Sequence, residues 1–175
     1  MAGYHGYELF GRALLHAIQQ PRHGDLAYNS EAAIFQIKRW VRECILDHPL
    51  CSSGGFAPKR LLCLQGGQGQ QIARLRVVET WSNFSSPFVA LSHCWGKTQH
   101  AITTKANYVE HLSYISQNSL PRTFQDAIWI TERLGLKYLW IDSLCIIQDD
   151  QDDWSREVVN MSHLYGAAYL TLAAS

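Results

Sequence analysis

The chain has 175 residues, 47% hydrophobic and 17% charged, which is a globular composition long enough for one core. Its 15 Lys and Arg balance 15 Asp and Glu, so no basic excess recommends nucleic acid or an anionic membrane surface as a partner. No apolar run reaches the ~18 residues of a spanning helix, and the N-terminus lacks the apolar core of a signal peptide; the cysteines Cys44, Cys51, Cys63, Cys94 and Cys145 are odd in number and lack disulfide-framework spacing, which predicts reduced thiols in the cytoplasm.

Residues 1–30 carry little pattern. Leu9, Phe10, Ala13, Leu14 and Ala17 predict a short amphipathic helix that Pro21, Gly24 and Asn29 break. Residues 31–48 predict a better helix, capped by Ser30, with Ile34, Ile37, Val41 and Ile45 on one face and Trp40, Cys44 and His48 on the next. Cys44, His48 and Cys51 are spaced like metal ligands, with Cys63 the candidate fourth for zinc. Zinc is the less favoured reading, because no paired CxxC is present and a cysteine on a helix face is more often a small core residue.

Pro49 to Pro58 reads as a turn-rich connector. Arg60–Leu64 and Leu75–Thr80 predict two strands around Gly66-Gly-Gln-Gly69, a hairpin turn without the spacing of a phosphate-binding loop. Pro87–Ser92 predicts a strand that runs into His93, Cys94, Trp95 and Gly96. There Gly96 permits close approach of a ligand to the backbone and Trp95 offers a stacking surface, or else a cover for the sheet end. A polar, irregular stretch follows, with one helical turn near Asn107–Leu112.

The most informative stretch is Leu120–Ser175. Thr123 as N-cap, Asp126 three residues on, and Phe124, Ala127, Ile128, Thr131 and Leu134 at helical spacing predict a helix that Gly135 stops. Lys137–Asp142 predicts a strand buried on both faces. Asp142, at its carboxyl end, is placed either to cap the next turn or to face a ligand, with Ser143 beside it. The acidic loop to Asp153 leads into a helix with Trp154, Val158, Met161 and Tyr165 in one apolar stripe, Glu157 at its rim and Gly166 as its stop. Residues 167–174 predict a last strand. Helices alternating with strands predict an α/β fold, a mostly parallel sheet flanked by helices, with an N-terminal helical segment.

ALSHCWG at 90–96, LPRTFQDAI at 120–128, LGLKYLWIDSLCIIQDDQDDW at 134–154 and E-x3-M-x3-Y-x2-A from Glu157 to Ala168 together resemble the fungal HET (heterokaryon incompatibility) domain. W-x3-C-x3-H-x2-C from Trp40 to Cys51 and RLLCL at 60–64 resemble the segment that often precedes it. The resemblance implies a weakly patterned segment at 1–39 and a HET domain at 40–175. It departs from the family pattern at His93, where a Tyr is usual. The chain also stops at Ala174-Ser175, where the family's domain normally continues, so a fragment is expected.

The resemblance implies an effector of fungal non-self recognition and programmed cell death. Such an effector acts through assembly with its own copies, other HET-domain proteins or recognition proteins. The family's distant similarity to TIR domains, some of which cleave NAD at its glycosidic bond, implies an alternative by fold analogy. In that alternative NAD is a substrate, Glu157 is the catalytic carboxylate, Asp142 assists it, and Ser92, Trp95, Gly96, Ser143 and Trp154 bind the ligand. The competing structural readings make Glu157 a first-turn residue held by the helix dipole and a salt bridge, and Asp142 a turn cap. A thiol nucleophile formed by Cys94 or Cys145 with His93 is disfavoured, since apolar surroundings raise thiol pKa.

Overall fold

The computed structural model describes residues 30–48, 56–66, 74–95 and 101–174. The expected helix at 9–17, the connector at 49–55, Cys51, Gly67–Gly69 and Gly96 lie outside the described residues.

In chain order the elements are α1 (Glu31–Asp47), β1 (Arg60–Gln65), β2 (Arg74–Glu79), β3 (Val89–His93), α2 (Tyr108–Ser113), α3 (Arg122–Arg133), β4 (Tyr138–Ile141), α4 (Asp142–Cys145), α5 (Gln151–Ala167) and β5 (Leu170–Ala174). The strands form one sheet in the order β2-β1-β4-β3-β5. β3 pairs in parallel with β4 and with β5, whereas β1 is antiparallel to both β2 and β4. The sheet is therefore mixed, not mostly parallel. The β1–β2 hairpin brings a reversed strand against β4, and hairpin strands are antiparallel by connectivity.

The parallel part is doubly wound. The β3–α3–β4 crossover moves one way along the sheet and the β4–α5–β5 crossover moves the other way, past β3. Successive strand side chains face opposite sides. His93 stacks edge-on against Phe124 of α3, at 4.8 Å between centroids, while Trp140, level with Ala90, meets Tyr165 of α5 at 5.8 Å. The two helices thus cover opposite faces, and opposite directions on opposite faces mean the same crossover hand. Leu139, Trp140 and Ile141 are fully buried between them, as a strand covered on both faces should be.

Local signals explain most ends. Ser30 accepts a hydrogen bond from Ala33 N at 3.2 Å and caps α1. α3 begins earlier than the Thr123 cap would have it. Pro121 stands at its N-cap, the Pro121 carbonyl accepts from Phe124 N and Gln125 N, and Asp126 pairs with Arg122 at 3.6 Å instead of closing a capping box. At the other end, Leu136 N donates to Thr131 O and Gly135 N to Glu132 O. This is the Schellman arrangement, with Gly135 at φ +82° in the left-handed region. A Cβ at Gly135 would meet nothing within 4 Å. Replacing Gly135 with Ala should therefore cost backbone strain alone, about 1–2 kcal/mol in a denaturant melt, with Gly135→Asn costing less.

Candidate functional site

The carboxyl ends of the parallel strands carry most of the polar side chains of interest. Leu91 is in register with Ile141, so Ser92 and Asp142 emerge side by side from parallel neighbours. Asp142 is the first residue of α4, and its Oδ1 accepts from the backbone N–H of Ser143 at 2.7 Å. Its Oδ2 accepts from the indole Nε1–H of Trp95 at 2.6 Å. His93 Nδ1 lies 3.7 Å from Oδ1, on a side chain 9% exposed. Tyr165 completes the group from α5. Burial pushes its phenol above the usual range, the Asp142 charge adds to this, and a hydrogen bond with Ser92 opposes it. Ser92, Trp95, Asp142 and Ser143 thus come together. His93 and Tyr165 join them, His93 from the end of β3 and Tyr165 from the expected apolar stripe.

Glu157 belongs to a second group at the same sheet edge. Arg60 begins β1 and, because β1 runs against β4, lies at the level of Ile141. Its guanidinium is 1% exposed, donates from Nε to Cys145 O at 2.6 Å, and pairs through Nη2 with Asp153 Oδ2. Asp153 also takes Lys59 Nζ at 3.0 Å and the Ile147 N–H at 3.0 Å. Burial alone would push the Asp153 carboxyl up, but Ile147 N–H, Lys59 and Arg60 together hold it below the usual carboxylate range. Glu157, 6% exposed, is shifted the other way: burial raises it, Arg60 opposes, and the Asp153 charge adds. Glu157 and Tyr165 are eight residues apart on α5, about 12 Å along its axis.

This pairing rotates α5 from the expected orientation. Its buried residues are Asp153, Glu157 and Leu164, a stripe roughly a quarter turn from the expected one of Trp154, Val158, Met161 and Tyr165, of which Met161 and Tyr165 still pack, half-buried, against the core. Trp154 is 43% exposed as a result. The acidic loop is mostly used internally. Asp150 caps α5 through Asp152 N and Asp153 N, Asp149 accepts from Lys105 N, and Asp153 is buried.

At the metal candidates, the His48 N–H donates to the Cys44 carbonyl at the end of α1. Among the described residues no group of three or more His, Cys, Asp or Glu side chains is arranged to hold a metal ion. Burial drives the Cys145 thiol up to about 12, whereas Cys94 is exposed. Also among the described residues, no helix is long and apolar enough to cross a membrane.

Two outcomes follow from the Arg60 group. Asp153→Asn leaves a buried guanidinium without its anion, and chemical denaturation should show a loss of about 3–5 kcal/mol. Because the folded Asp153 pKa is depressed, its contribution is present at neutral pH and fades as pH falls from the ordinary carboxylate range through the folded value. Glu157 has the opposite sign. Its raised folded pKa means that ionisation costs stability at neutral pH. Glu157→Gln should therefore raise the denaturation midpoint at neutral pH, with the difference closing as pH falls below about 4, where the carboxyl becomes protonated in both states.

The family model described as heterokaryon incompatibility protein (HET) matches residues 88–175. No curated protein and no solved structure matches the chain. The matched stretch starts as the chain enters β3 and takes in every parallel strand and both crossover helices, whereas β1 and β2 lie upstream of it in the same sheet. It spans half of the sequence and carries Ser92, Asp142, Asp153 and Glu157 in their motifs, and on that match the chain belongs to the heterokaryon incompatibility (HET) family.

Proposed function

We propose that this chain is an effector of fungal non-self recognition that triggers cell death from the cytoplasm by assembling with its own copies or with recognition proteins. The HET-family match over residues 88–175 carries the reading. The surface available for assembly is apolar rather than acidic. On α1, Ile34 and Val41 are buried, whereas Phe35 and Leu46, on a different face of the same helix, are 70% and 71% exposed. Val109 and Val159 are exposed as well. In this reading Phe35 and Leu46 are the side chains that a partner surface would cover. NAD cleavage has less to recommend it, because the charged neighbours of Glu157 are Arg60, Asp153, Lys59 and Arg156.

Inducible expression in a fungal host, read as viability, and light scattering on the purified chain test the reading together. The expected outcome is killing by a chain that forms more than a monomer, with both properties reduced in Phe35→Ser/Leu46→Ser. Killing by a strict monomer would overturn the assembly part, and harmless assemblies would overturn the effector part. Nicotinamide release from NAD that disappears in Glu157→Gln would move the chain to the enzymatic alternative.

A further inference from the structure

The crevice between the carboxyl ends of β3 and β4 has features that assembly leaves unused. The first is its position. It lies at the carboxyl ends of two adjacent parallel strands whose crossover helices, α3 and α5, cover opposite faces, beside the place where Thr103 joins the two connections by bonding Ser143 and Gln148. In open α/β sheets the carboxyl ends of such strands are where ligands bind. The second is a set of unpaired atoms. Buried polar side chains are almost always hydrogen-bonded, yet among the described residues His93 Nδ1 and Ser143 Oγ are buried without a hydrogen-bond partner. His93 Nδ1 stands 3.7 Å from Asp142 Oδ1, too far for a direct bond and close enough for one hydroxyl to bridge both. The third is unused acceptor capacity. Each carboxylate oxygen offers two lone-pair sites. Among the described residues, Oδ1 accepts one hydrogen bond, from Ser143 N, and Oδ2 accepts one, from Trp95 Nε1, which leaves one lone-pair site on each.

The chemistry of these groups narrows the occupant. Asp142 needs donors. Its facing groups are Ser92, Tyr165, Trp95 and His93, and among the described residues no Lys or Arg pairs with it, so an anion is disfavoured. Two donors at the spacing of two carboxylate oxygens are vicinal hydroxyls. The Trp95 indole, 39% exposed, supplies a flat apolar surface for the C–H face of a sugar ring. The geometry points to a binding site for a neutral vicinal diol, a saccharide or the ribose of a nucleoside. One hydroxyl bridges His93 Nδ1 and Asp142 Oδ1, its neighbour donates to Asp142 Oδ2, and the ring lies against Trp95.

Saturation-transfer NMR on the intact chain tests this with ribose, methyl glucoside, adenosine, 2′-deoxyadenosine and spermidine as probes. The expected result is transfer to the ring protons of at least one diol, a shift of the Trp95 indole N–H resonance on its addition, and loss of both in Asp142→Asn. Transfer to adenosine and ribose would identify the nucleoside source, and transfer to methyl glucoside the saccharide source. If adenosine binds, its 2′-deoxy analogue should bind at least about tenfold more weakly, a loss equivalent to one good polar contact. Trp95→Phe should keep binding and Trp95→Ala should lose it. No transfer to any diol, equal binding of the deoxy analogue, or a preference for spermidine would overturn the proposal. The indole resonance of the unaltered chain reports binding or its absence even where a variant fails to fold. The site stands independently of assembly, which light scattering reads separately.

Discussion

The Arg60–Asp153 pair holds the architecture in register. One guanidinium at the start of β1 reaches the Cys145 carbonyl at the end of α4, the Asp153 carboxylate in the first turn of α5 and, at 6.0 Å, the ring of Tyr108 at the start of α2. Three separate connections therefore converge on one side chain that is 1% exposed. Removing two charges from water costs nearly as much as their attraction returns, so a pair of this kind adds little net stability. It does penalise every arrangement in which one charge is buried alone. α5 is thus held at a fixed rotation over the sheet, and β5 follows from where α5 ends.

That rotation separates the two polar groups at the sheet edge. Turning Asp153 and Glu157 inward brings them to Arg60 and leaves Tyr165, further along the helix, to reach Ser92 and Asp142. The Arg60 group is closed around Asp153, which takes Arg60, Lys59 and the Ile147 N–H, and Glu157 beside it is driven towards neutrality by burial. The Asp142 group is open by comparison. Its aspartate is bonded on both oxygens, yet among the described residues the neighbouring His93 Nδ1 and Ser143 Oγ have no hydrogen-bond partner. Two polar groups at one edge of the sheet thus differ in character, one paired internally and one with buried atoms that lack a hydrogen-bond partner among the described residues.

Much of this was legible in the residues. The Phe124 to Leu134 spacing and Gly135 marked α3 and its stop, and the run Lys137–Asp142 marked the buried strand that forms at Tyr138–Ile141. Ser92 and Asp142 at strand ends were readable as neighbours because parallel strands place their carboxyl ends together. The mixed sheet was less accessible, because nothing in RLLCL says which strand it will join across the chain. The face of α5 differs from the expected one for a physical reason. Periodicity assumes that apolar residues go inside, and here the cation of Arg60 drew in two carboxylates and turned Trp154 out to 43% exposure. The signal was present as an arginine at the head of an otherwise apolar strand, which must find an anion if it is buried, and the only dense acidic run downstream contains Asp153.

The position of Arg60 also bears on where this unit can be cut. The family match begins at residue 88, but the cation that answers Asp153 sits 28 residues earlier, on a strand that pairs with β4. A segment excised at the family boundary would carry an orphaned carboxylate and an uncovered flank of β4. The matched stretch therefore lacks the cation that answers its own buried carboxylate, and any transplant of it must bring the upstream hairpin as well.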